Sequence, residues 1–130
     1  MSEQLESESV VHLMVAVLAV GGYSLQRAWN LLESLKKEGL TNPKVVEKCD
    51  EAEVVRRLAR SGYDRGPTVT WSMAMRIMAL HAAVRGGVLA QAVRLLRDGR
   101  VKDAEKVLCE VKGVGPTVFK HFAVLEGATK

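Results

Sequence analysis

The sequence predicts an all-α fold, a compact orthogonal bundle of about seven short helices that closes on two helices joined by a tight turn. Three observations lead to this class. Apolar residues recur three and four positions apart, as in Val101, Ala104, Val107, Leu108 and Val111. No segment alternates with period two, and no Asn-Gly hairpin turn occurs. Residues that start and stop helices punctuate the chain at short intervals, among them Ser24, Asn42, Asp50, Gly62, Gly86 and Pro116.

Residues 1–9 are polar and carry Glu3, Glu6 and Glu8, so a flexible acidic end is expected. Residues 10–20 are apolar nearly all round, which describes a buried central helix. His12 near its start has no partner at metal-ligand spacing and reads as a surface or hydrogen-bonded histidine. Gly21 and Gly22 end that helix, and Ser24 caps the next. There Leu25, Ala28, Trp29, Leu32 and Leu35 form one stripe, stopped by Lys36, Lys37 and Gly39. Asn42 and Pro43 open a short helix that runs to Lys48. Asp50 and Glu53 have the spacing of a capping box, ahead of an inner face of Val54, Val55 and Leu58 that Gly62 terminates.

Residues 63–67 read as a loop, and Thr70 is the expected cap of the next helix. Met73, Ala74, Ile77, Met78, Leu80 and Ala83 point inward there, and the methionines, Met75 included, read as core filler. Gly86 and Gly87 break the chain before a helix over 88–96, and Asp98-Gly99 turns into the last pair. Those helices span 101–112 and 116–126, with only Gly113-Val114-Gly115 between them. Joined so closely, they are expected to bury their apolar stripes against each other. No internal repeat is evident.

With 130 residues and 48% apolar content, one folded domain over 10–127 is expected. The net charge is +4, and setting aside the −3 of the first ten residues leaves a body of +7. Such a balance is compatible with nucleic acid. Cys49 and Cys109 stand far apart with no Cys-x-x-Cys pair, so neither zinc nor an iron–sulfur cluster is indicated. They read as buried free thiols. The apolar run at 10–23 is too short to span a bilayer, and the acidic start lacks a cationic leader. An intracellular location, cytoplasmic or nucleoid-associated, is expected.

The turn at 113–115 carries the functional signal. Glycine adopts φ > 0 past a helix end without strain and lets another group approach the backbone. Pro116 suits the first position of the following helix. Free amides near Gly115, Thr117 and Val118 then face outward at the positive end of a helix dipole, an arrangement suited to phosphate. The same residues also describe an ordinary packing corner.

This stretch resembles the helix-hairpin-helix motif of DNA-binding proteins. Gly113, Val114 and Gly115 match its Gly-hydrophobic-Gly turn, and Leu108, Val111, Phe119 and Phe122 match the apolar positions around it. The resemblance implies that backbone amides hold a DNA phosphate, with a monovalent cation at the backbone of Lys112 and Val114. The chain at 10–127 further resembles the six-helix barrel half of the endonuclease III-like DNA glycosylases. Leu13 to Leu18, Ala28 to Leu32, Ser61-Gly62-Tyr63 and Arg76 to Leu80 carry that likeness. It departs from the family in three ways. The sequence ends before the position of the family's catalytic aspartate. Thr117 stands where bifunctional members have a lysine nucleophile, so no Schiff base can form. The second helical half is absent.

The sequence therefore suggests a catalytically incomplete, glycosylase-like domain that holds double-stranded DNA without sequence specificity and has no catalytic residue of its own. One alternative is half of a split or oligomeric glycosylase, completed by a second copy or a partner subunit. Another is a protein-interaction domain that has lost DNA binding. Candidate phosphate contacts are Lys112, Gly113, Val114, Gly115, Thr117, Val118, Lys120 and His121, with Tyr23 and Arg65 as further contacts. Arg94, Arg97 and Arg100 read as an exposed helix face. No cofactor is called for beyond the hairpin cation. Asp50, Asp64, Asp98 and Asp103 sit at caps and turns and read as structural.

Overall fold

The computed structural model describes residues 3–19 and 23–127. Within them the chain is all helical: α1 Glu3–Leu18, α2 Leu25–Asn30, α3 Leu32–Lys37, α4 Pro43–Glu47, α5 Glu51–Arg60, α6 Pro67–Arg85, α7 Val88–Arg97, α8 Val101–Leu108 and α9 Pro116–Leu125. No single helix among the described residues is long and apolar enough to cross a membrane, and α6 and α7 meet at 73°.

α1 is the central post, packed on α2, α6, α7 and α9. This accounts for its all-round apolar character: Leu13 through Leu18 are each at most 1% exposed. The helix begins earlier than position 10, at Glu3, and Ser9 is buried. Glutamates in a first turn complement the helix dipole, so a polar start is no barrier to helix. The expected stop at Gly21 and Gly22 lies outside the described residues.

The stripe from Leu25 to Leu35 forms two helices rather than one. Leu31 interrupts it, donating its amide to Ala28 O across three residues. The break seats Ala28, Leu32 and Leu35 in the core and turns Trp29 outward, 43% exposed. Asn42 caps α4, accepting from the Lys44 amide at 3.0 Å. Only half of the capping box on α5 forms. Asp50 Oδ1 accepts from the Glu53 amide at 2.8 Å, but the Glu53 carboxylate turns to Arg56 and Arg57 at 2.7 and 2.8 Å. A guanidinium is a stronger donor to a carboxylate than a backbone amide. Arg57 also reaches Glu38 O, and a hydrogen bond from Arg60 holds the Glu38 carboxyl below its usual pKa.

Thr70 does not cap α6. The helix starts a turn earlier, with Gly66 at the N-cap and Pro67 at its first position, and Thr70 is buried inside it. Pro67 fits a first turn because its missing N–H has no intrahelical partner there. Of the methionines, Met73 is core, whereas Met75 and Met78 are only half-buried. On the same helix His81 is fully buried, and its Nε2 lies 2.6 Å from Leu40 O. Burial pulls its pKa down to about 4, so the ring is neutral and Nε2 carries the donated proton.

α8 ends at Leu108, four residues short of expectation. Beyond it the amides of Glu110, Val111 and Val114 bond back three residues, which tightens the chain. The tightening puts both Val111 and Val114 into the core, which the helical period does not do. The connection to α9 is thus 109–115. α8 packs chiefly on α7, and α9 on α1. The two final helices touch each other only slightly, contrary to the expectation of mutual burial.

Candidate functional site

The turn from α8 to α9 places two glycines in different roles. Gly113 has φ +91°, and a Cβ there would lie 2.8 Å from Arg76 Cγ and 3.2 Å from Arg76 Cβ. The fold itself requires this glycine, because the chain presses its backbone onto the stem of Arg76 on α6. Gly115 is the N-cap of α9, with φ −111° and ψ −173°, and a Cβ built on it meets nothing within 4 Å. An L-residue fits there without strain, and Ser or Asp would cap the helix better. Its bare backbone leaves that face of the turn open to whatever approaches.

Around Gly115 the backbone donors are unspent. Among the described residues the amides of Gly113, Gly115, Thr117 and Val118 have no backbone partner, and Gly115 gives no side-chain cap. The Val114 amide is taken by Val111 O at 3.0 Å, which removes it from the expected donor set. The carbonyls of Lys112 and Val114 accept no backbone bond among the described residues. Side chains divide as the helix period dictates: Lys112, Thr117 and Lys120 are exposed, His121 is half-buried, and Val114 and Val118 are core.

Arg76 is the residue that sequence reasoning missed. Its stem supports Gly113, its side chain is half-buried, and it makes no hydrogen bond or ion pair among the described residues. In the sequence it is one cation on an apolar helix, with no signal that ties it to a turn 37 residues later. A second missed feature is short. Gly-Pro-Thr-Val occurs at 66–69 and again at 115–118, starting α6 and α9. Both starts lack a side-chain cap, and both bond the fifth residue's amide to the glycine carbonyl, at 3.0 and 2.9 Å.

Tyr23 and Arg65, the two further contacts expected, lie against each other. Tyr23 is 4% exposed and packs on Tyr63, ring centroids 5.3 Å apart, so its face is not free to stack on a base. Arg27 and Arg65 lie over its ring, at 4.5 and 5.6 Å from the centroid. Burial raises the pKa of both phenols, against the opposing arginine charges. Arg65 is therefore engaged with the tyrosine pair. Residues 20–22, just before Tyr23, lie outside the described residues.

The aspartates hold structural posts. Asp50 caps α5, Asp64 pairs with Arg27 at 3.6 Å, and Asp103 takes Arg100 at 2.8 Å. Glu126 accepts from Ser9 at 3.1 Å and lies 2.5 Å from His12 Nδ1, tying the end of α9 to α1. Cys49 and Cys109 are free and half-buried rather than buried. Burial, followed by the charge of Glu105, raises the Cys109 thiol pKa. No group of three metal-ligating side chains occurs among the described residues.

Family models, curated proteins and solved structures were all compared with this chain, and none matches.

Proposed function

We propose that this chain is a duplex-DNA-binding domain of the helix-hairpin-helix type, without sequence preference. The observation that carries the reading is Gly115: the fold does not need a glycine there, yet it bares a helix start with unspent amides. A phosphate oxygen accepts from such amides and is favoured by the helix dipole. Lys112 and Lys120 flank the turn, and Arg76 lies behind it with its charge unpaired among the described residues. This supplies phosphate contacts and no base-edge readout, the pattern of non-specific binding. The free carbonyls of Lys112 and Val114 suit a monovalent cation that would bridge the turn to the phosphate. The likeness to the endonuclease III-like glycosylases is one of sequence pattern, and a second copy or a partner subunit would add the contacts that one hairpin lacks.

Fluorescence anisotropy on a labelled duplex across a salt series tests this. Three cations at the turn give an expected slope of about −3 in log K against log salt. Gly115→Ala, which leaves the fold intact, is expected to weaken binding about tenfold by placing a methyl over the amides. Arg76→Gln is expected to reduce the slope by about one. Binding by Gly115→Ala equal to wild type would remove the turn from the interface. Absence of binding by the folded wild type at low salt would end the DNA reading.

A further inference from the structure

Away from the turn, α1, α2, α3, α4 and the end of α6 enclose an open cleft of about 1190 Å³. Its volume lies somewhat above the roughly 300–1,000 Å³ of most small-molecule sites, which are concave and mostly apolar with a few polar groups. Its walls include Val11, Leu32 and Val84, with Trp29 at its side. Trp29 is held in place: its ring stacks on His12, centroids 6.4 Å apart and planes 22° apart, and His12 is anchored by Glu126. Yet 43% of its surface stays exposed. A fixed, partly bare indole is a ready platform for a flat ring.

The charges in the cleft favour an anion. Lys36 and Lys44 line it, and neither ammonium has a partner among the described residues. Arg85 and Glu47 also line it but pair with each other at 3.7 Å, so they add no net charge. His12 is spent on Glu126. Among the described residues, Glu8 alone opposes the two lysines. The break at Leu31 creates this arrangement by turning Trp29 out of the core while Lys36 follows on the next helix.

We propose that this cleft binds a small molecule that joins a flat ring to an anionic group, stacking the ring on Trp29 and placing the anion between Lys36 and Lys44. A mononucleotide and an aromatic carboxylate both have this chemistry. The site is independent of the DNA reading, since none of its residues belongs to the turn.

The two tryptophans provide the test. Trp71, 44% exposed on α6, does not line the cleft and serves as an internal control. Adenosine monophosphate, 2-naphthoate, adenosine and inorganic phosphate are titrated separately into nitrogen-15-labelled protein, following the two indole N–H resonances. The ring-bearing anions are expected to shift Trp29 and leave Trp71 in place, with millimolar or tighter dissociation constants. Whichever binds more tightly identifies the source of the anion. Lys36→Gln/Lys44→Gln is expected to weaken that binding roughly 5- to 10-fold. The proposal is overturned if Trp29 stays unmoved by both ring-bearing anions up to about 10 mM, a range that reaches very weak sites. It is equally overturned if both indoles shift together, if adenosine binds as tightly as its monophosphate, or if the lysine variant binds like wild type.

Discussion

Replacing Gly113 and Gly115 by alanine, one at a time, separates what the fold demands from what a ligand demands. At Gly113, alanine must hold φ near +91°, which costs an L-residue roughly 1–2 kcal/mol. Its Cβ would also sit 2.8 Å from Arg76 Cγ and 3.2 Å from Arg76 Cβ. The outer stem can swing aside, but the Cβ is fixed to α6, so overpacking adds about 1 kcal/mol. The expected loss is about 2–3 kcal/mol, a large share of the roughly 5–15 kcal/mol typical of such a domain. At about 3–5 °C per kcal/mol for this chain length, Tm falls by about 10 °C. At Gly115 the backbone is extended and the space open. Alanine caps slightly worse than glycine but narrows the unfolded ensemble, so the two effects of about 0.5 kcal/mol cancel. Thermal and urea unfolding followed by circular dichroism at 222 nm measures both variants. Equal destabilisation would refute the division of labour, because it would mean that Gly115 is also needed by the fold.

Three further outcomes follow from the packing. His81 is neutral in the folded chain, its pKa near 4 against about 6.5 when unfolded. The unfolded chain therefore binds more protons between these values, and stability is full above about pH 6.5 and lost progressively toward pH 4. The loss attributable to this ring is roughly 3 kcal/mol; His81→Gln, compared with wild type over pH 4–7, should show a flatter profile, and an unchanged slope would contradict the burial argument. His12→Ala and Glu126→Gln, taken through a double-mutant cycle, should couple by about 1–2 kcal/mol, since His12 and Glu126 share a direct hydrogen bond between α1 and the end of α9; additive losses would show that the link contributes nothing. Asp50→Ala should cost about 1 kcal/mol in urea unfolding, whereas Asp50→Ser should be nearly neutral, because the cap is the only side-chain hydrogen bond that residue makes among the described residues.

Much of the fold was legible because helix signals are local. The caps at Ser24, Asn42 and Asp50, the stop at Gly62 and the start at Pro116 depend only on chemistry within one turn, and each stands where the residues place it. The buried run at 13–18 was equally plain, since a helix apolar on every side has to be surrounded. The misplacements arose where a local rule met a tertiary demand. Thr70 has the chemistry of a cap, but Pro67 begins the helix before it. Glu53 has the spacing to complete a capping box, but two arginines on the same helix attract its carboxylate. Trp29, Leu32 and Leu35 fit one continuous stripe, but the helix breaks at Leu31, which leaves Leu32 and Leu35 in the core and Trp29 partly exposed.

The sequence by itself determined the helical class, most helix boundaries and the turn with its two glycines, because these rest on periodicity and on backbone preferences of single residues. Tertiary structure alone decided that Gly113 presses on Arg76, that Gly115 faces open space, that Tyr23 is shut inside a tyrosine pair, and that Trp29 stands over a cleft between distant lysines. Those facts depend on which helix packs on which, and packing is set by the shapes of surfaces that lie tens of residues apart in the chain.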